Sequence, residues 1–213
     1  MQLFHILKKI PSQIYLFSGI LLFVFVFPLI DRVTIFDFVG PLAYSIMTIS
    51  ILSVIERKKQ KKLKYLFILV AISIIFIWVM YFSPRSYLSL VSFVLSLSVF
   101  FTTIVLLIQQ IVQSKEVNTK VILEAISAYL LLGVMFTLTN SLIWTFDHDS
   151  IGITSPDIAD FVYYSFITLT TIGYGDISPV SDLAKMTSIL FGLSGQLYLT
   201  IIMAFIIGKF LNR

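Results

Sequence analysis

The heptapeptide "TTIGYGD" at residues 170–176 decides how this chain is read. It contains two threonines, two glycines flanking a tyrosine, and an acid, in an otherwise very oily half of the sequence. A further apolar helix follows directly after it. Its meaning depends on its surroundings, and these are dominated by lipid-soluble residues.

The 213-residue chain is 58% hydrophobic and 12% charged, more apolar surface than a soluble core absorbs. The apolar residues are gathered into runs at about 14–30, 39–55, 65–82, 87–112, 121–146 and 186–207. Each is near or above the roughly 17 to 25 residues that a helix needs to cross a hydrocarbon core of about 30 Å. The expectation is therefore an all-α membrane protein with six spans, since a lone segment in lipid must satisfy its own backbone hydrogen bonds. Lys8 and Lys9 precede the first run as they would in a signal peptide. The run is too long for a signal core, however, and Asp31 and Arg32 follow it in place of a small-residue cleavage pattern. The chain has no cysteine, which excludes disulfides and thiolate metal sites, and His5 and His148 are too few and too far apart for a metal cluster.

Charge orients the spans. Residues 56–64, "ERKKQKKLK", hold six of the fifteen basic residues, and the positive-inside rule makes this connection cytoplasmic. Alternation then puts Lys8, Lys9, Lys115, Lys120, Lys209 and Arg213 on the same side, with Arg32, Arg85 and Lys185 outside. Both termini are expected in the cytoplasm. Asp31, Asp37, Asp147, Asp149, Asp157, Asp160, Asp176 and Asp182 all fall outside. The basic run reads as a topology signal that can also attract anionic headgroups, and not as a nucleic-acid site.

The fifth and sixth spans are about forty residues apart, the longest connection in the chain. Within it "SPDIADFVYYSFITLT", residues 155–170, reads as a short helix. Ser155 is placed to cap it, Pro156 suits the first helical position, and Asp157 and Asp160 suit the positive end of the helix dipole. It is too short to span, so it is expected to re-enter the membrane and stop partway. That would leave residues 170–176 at membrane depth, which is tolerated only where protein or a water-filled path shields them from lipid.

The segment "FVYYSFITLTTIGYGDISPVSDLAKMTSILFGLSGQLYLTIIMAFIIGKF", residues 161–210, resembles the pore helix, filter and inner helix of tetrameric potassium channels, especially small bacterial ones with a single pore loop per chain. The resemblance covers about residues 121–211 and is most specific within 163–179. It implies a pore domain at 116–213, with outer helix 121–146, pore helix 156–170, filter 171–175 and inner helix 186–211. Residues 1–115 form a four-helix membrane domain before it.

The resemblance assigns potassium ligation to backbone carbonyls of Thr171, Ile172, Gly173 and Tyr174, which replace the ion's water shell without adding trapping charge. Four chains close the ring. The backbone must alternate between ordinary and left-handed angles, which Gly173 and Gly175 accept because they lack a Cβ. Tyr174 is expected to point away from the pore and bond to Tyr164, and Asp176 to concentrate cations at the outer mouth. Tyr163 and Tyr164 replace the family's tryptophan pair, and Ile167 stands where some members carry glutamate. Gly195, and Gly192 one turn earlier, are hinge candidates, although glycine in a membrane helix is as often a packing contact. Gln196 and Tyr198 either face the cavity or bond between helices. Glu124 is expected at the interface, with Lys120 one turn away.

The fourth span, "YLSLVSFVLSLSVFFTTIVLLIQQIV", has no basic residue, unlike a voltage-sensing helix, and its serines read as close helix packing. The function implied is passive, potassium-selective conduction through a homotetramer in the cell membrane, with no enzyme activity and no cofactor besides the permeant ion. The gating stimulus is not encoded in any recognisable attached domain. A weakly selective cation channel is the nearest alternative, and a transporter or interaction subunit with a degenerate pore comes from another class.

Overall fold

A computed structural model describes residues 12–33, 38–53, 60–83 and 86–211 of the chain. His5, Lys8, Lys9, Asp37, the basic residues 57–59, Arg85 and Arg213 lie outside the described residues. Among those described, helices α1 (Ser12–Leu21), α2 (Phe27–Val33), α3 (Val39–Ile51), α4 (Gln60–Phe82), α5 (Ser86–Gln113), α6 (Thr119–Phe146), α7 (Ile158–Leu169) and α8 (Asp182–Leu211) follow in order. An isolated antiparallel bridge pairs Ile151 with Pro179.

A π-helical turn, Leu22–Val26, joins α1 to α2, and the Phe27 N–H donates to the Leu22 carbonyl. The cause lies at Pro28. Its ring lacks an N–H and would clash with the carbonyl four residues back, so the helix widens by one residue just before it.

Among the described residues, five helical stretches are long and apolar enough to cross a membrane: Gln13–Val33, Lys64–Phe82, Tyr87–Gln113, Thr119–Phe146 and Asp182–Leu211. The expected second span is observed as α3, whose 13 residues cover about 20 Å at 1.5 Å per residue. That is short of a hydrocarbon core of about 30 Å. The rest of that predicted segment, from residue 54, lies outside the described residues.

Helix α1 packs on α3 and α6, α3 on α4, α4 on α5, and α5 on α6. One core holds this ring together, including Leu16, Ile20, Met47, Phe100, Leu107 and Leu131. Lipid offers no hydrophobic drive between helices, so close fit and interhelical hydrogen bonds do the work. The Tyr44 and Ser96 hydroxyls lie 2.7 Å apart across α3 and α5. The Trp78 indole donates to Ser45 at 3.1 Å. Ser92 and Ser96 are buried, as the packing reading expects.

Helix α6 is the hub, because α7 and α8 pack on it as well. Its apolar span is 61% buried, against 17% for α8. The inner helix is therefore the least covered element of the C-terminal half.

Candidate functional site

The site is built from α7, the turn after it, and the faces of α6 and α8 that hold them. Asp157, not Ser155, caps α7. Its carboxylate accepts from the Asp160 N–H at 3.0 Å, and the Asp160 carboxylate accepts from the Asp157 N–H at 3.0 Å. This reciprocal capping box needs a carboxylate three residues into the helix, and the residue three after Ser155 is Ile158. The helix thus starts two residues later than expected, with Pro156 outside it.

Arg32, at the end of α2, grips the same turn, its Nε 2.5 Å from Asp157 Oδ2 and a terminal nitrogen 3.2 Å from Asp160 Oδ1. Burial opposes the charged Asp157 carboxylate, but the Arg32 guanidinium and the N–H groups of Asp160 and Ala159 outweigh it and hold the group below its usual range.

Behind α7 the Asn140 amide donates to the Ser165 hydroxyl at 3.0 Å. Both side chains are buried, so the pair is a costly one to break. The Phe166 ring lies flat against α6 at Gly133, where a Cβ would stand 2.4 Å from ring carbon. The Tyr129 hydroxyl donates to the Leu169 carbonyl at 3.2 Å. None of these supports was read from the sequence, because each depends on the register of α6 against α7.

Helix α7 ends by chain reversal. The Thr171 N–H donates to the Thr168 carbonyl at 3.0 Å and the Gly173 N–H to the Ile167 carbonyl at 3.1 Å. Beyond Thr170, φ is positive at Thr171 (61°), Gly173 (54°) and Gly175 (80°), alternating with Ile172 and Tyr174. Glycine adopts this region without steric penalty, whereas Thr171 pays about 1 to 3 kcal/mol for it. The sequence offered no sign of that strain at Thr171. In the single chain this segment is bare, with Ile172 56% and Tyr174 73% exposed.

The tyrosine bonding differs from expectation. The Tyr164 hydroxyl lies 2.6 Å from Ser188 on α8, not on Tyr174. The reason is burial: Tyr164 faces the α6 and α8 core beside Phe136 and Phe191, while Tyr174 points outward. Tyr163 instead reaches the outer turn, its hydroxyl donating to Asp176 Oδ2 at 2.7 Å. That bond lowers the Asp176 pKa from its ordinary value, and the carboxylate beside it pushes the Tyr163 pKa up to about 12. Ile167 is buried.

On α8, a Cβ at Gly195 would stand 2.6 Å from Leu169 Cδ1 and 3.0 Å from the Leu169 carbonyl oxygen, whereas Gly192 and Gly208 have nothing within 4 Å. Of the two hinge candidates, Gly195 is thus a packing contact with the end of α7. The Tyr198 hydroxyl donates to the Ala125 carbonyl at 2.7 Å, which settles it as an interhelical bond, while Gln196 is exposed. Glu124 is buried within the chain: the Gln13 amide donates to it at 3.1 Å, and Lys120 Nζ, one turn away, lies 3.9 Å from it. His148 is exposed, its ring centroid 4.4 Å from that of Trp144.

A capped short helix, an alternation of positive φ after it and the largely exposed α8 lie together in the C-terminal part of the chain. Residues 125–212 match the ion channel family. The chain is 33% identical over 100 residues to two-pore potassium channel 3 of Arabidopsis thaliana, which is 46% of this chain and 22% of that protein. It is 39% identical over 85 residues to two pore potassium channel c of Oryza sativa subsp. japonica, covering 40% of this chain and 18% of the relative. The chain therefore spans about a fifth of the length of these relatives. No solved structure matches it. The similarity is to channels, in a chain whose long apolar helices make it a multi-pass membrane protein.

Proposed function

We propose that the protein is a potassium-selective channel in which four copies close one pore. Residues Thr171 to Tyr174 ligate potassium by backbone carbonyls, with Gly175, Asp176 and Tyr164 in support. The observation that carries this reading is the alternation of positive φ at Thr171, Gly173 and Gly175 directly after a capped helix. Such a backbone suits a ring of carbonyls that replaces the ion's hydration shell.

The heptapeptide occurs once in this chain, so each chain contributes a quarter of the ring. The uncovered apolar face of α8 and the exposed Ile172 and Tyr174 support assembly, since neighbouring copies would bury them. In this arrangement α7 re-enters the membrane from outside, both termini are cytoplasmic, and the short α3 serves as the sixth crossing. Conduction is passive and lacks a voltage sensor, because α5 carries no basic residue between Tyr87 and Gln113.

Purified protein in liposomes is expected to pass potassium and rubidium far better than sodium and to be blocked by external barium. Gly173→Ala, which places a Cβ at φ 54°, is expected to abolish that flux while the protein still assembles. Equal sodium and potassium permeability of the unaltered protein would sink the assignment in favour of a weakly selective cation channel. Absence of any flux would favour an interaction subunit.

A further inference from the structure

The C-terminal end of α8 meets the end of α5 through a charged side chain. Lys209, in the last turn of α8, donates to the carbonyls of Ile111 at 2.5 Å, Val112 at 2.8 Å and Ser114 at 2.7 Å. An ammonium has three donors, and all three are used. Ile111 and Val112 lie in the last turn of α5, where carbonyls have no partners within their own helix and carry the negative pole of its dipole, and Ser114 follows directly after it. The partners are nearly a hundred residues apart in sequence. Close by, Ile111 of α5, Val121 and Ala125 of α6, and Ile202 of α8 form a separate apolar cluster. The junction is therefore built from both apolar packing and a charged cap.

We infer that Lys209 is a positioning residue for the gate, holding the cytoplasmic end of the pore-lining helix outward against α5. This rests on the pore reading above. In that reading the axis lies on the bare side of α8 and of residues 171–175, whereas α5 meets α8 on its covered side, at Ile202 and Lys209. A tether from α8 to α5 thus pulls the α8 end away from the axis and keeps the inner passage wide. It also gives the four N-terminal helices a role, because any movement of α5 is passed to α8 through this cap. Gly208, immediately before Lys209, has no neighbour within 4 Å of a would-be Cβ, while Ile206 in the same stretch packs against this cluster.

Two readouts test the tether, one of which needs no current. Lys209→Met keeps the apolar stem and removes the donors. In reconstituted channels it is expected to lower open probability by about tenfold, equivalent to ~1.4 kcal/mol, with unitary conductance and ion selectivity unchanged and Lys209→Arg restoring the wild-type value. In parallel, a spin label at Leu211→Cys, unique because the chain has no cysteine, reports distances between copies. Lys209→Met is expected to shift them shorter. If that variant fails to assemble, Lys209→Gln, which keeps an amide but no charge, is read the same way. Unchanged open probability together with unchanged label distances in an assembled variant overturns the inference. Shorter distances in a protein that passes no potassium would support the tether while defeating the conduction reading on which it was framed. A residue that only stabilised the fold would lower thermal stability and leave both readouts where they were.

Discussion

Gly195→Ala separates a packing glycine from a hinge. The added Cβ would lie 2.6 Å from Leu169 Cδ1, 3.1 Å from its Cγ and 3.0 Å from its carbonyl oxygen. The methyl group can swing aside, but the carbonyl oxygen is backbone, held by the Tyr129 hydroxyl at 3.2 Å. Leu169 is fully buried, so there is little room to retreat. Forcing a methyl group into a filled site costs about 1 to 3 kcal/mol. For a chain of this size that corresponds to roughly 2 to 12 °C in melting temperature. The displaced end of α7 carries Thr170 and Thr171, so potassium flux is expected to fall along with stability. Gly192→Ala, with nothing within 4 Å in its own chain, is the control and is expected to shift melting by less than half as much. Melting of the purified oligomer followed by tryptophan fluorescence, alongside liposome flux, measures both. A Gly195→Ala protein with wild-type melting and altered gating alone would refute the packing argument and restore the hinge.

Other outcomes follow from the same geometry. Asp157→Ala removes the capping box and the Arg32 partner, and is expected to cost about 0.5 to 2 kcal/mol, seen as earlier melting; Asp157→Asn, which still caps, should lose less. The Tyr163 and Asp176 pair sets a pH window. Asp176 sits below its ordinary value of 3.8, so its contribution is present above that value and lost as pH falls through the lowered one. Tyr163 is raised from 10.0 to about 12, so its contribution is present below pH 10 and lost as pH climbs toward 12. Potassium flux is therefore expected to be flat where it reflects this pair between pH 5 and pH 9, and a midpoint inside that range that vanishes in Tyr163→Phe would contradict it. Open probability is expected to vary little with voltage, since each charge moved is worth about 2.3 kcal/mol per 100 mV and α5 supplies none; a steep conductance curve in a bilayer without added factors would overturn this.

Much of the architecture follows from local chemistry and was legible without coordinates. Long apolar runs demand helices in lipid whatever they pack against, and the boundaries of α6 and α8 lie close to the edges of their runs. The positive φ at Gly173 and Gly175 was equally readable, because glycine accepts it without a Cβ, whereas that at Thr171 was not.

What needed the tertiary structure was everything that depends on which face meets which. Asp157 displaced Ser155 as the cap because a reciprocal carboxylate stood three residues on. Tyr164 turned to Ser188 and Tyr163 to Asp176, although the two tyrosines are neighbours in sequence, because consecutive residues on a helix face different ways. The Lys209 cap, the Asn140 pair with Ser165 and the fit of Gly195 on Leu169 join residues 25 to 98 positions apart. An apolar run states that a helix will form, but nearly uniform oiliness carries little record of its rotation about its own axis. Only packing at van der Waals contact decides that rotation, and with it the partner of every polar group the helix carries.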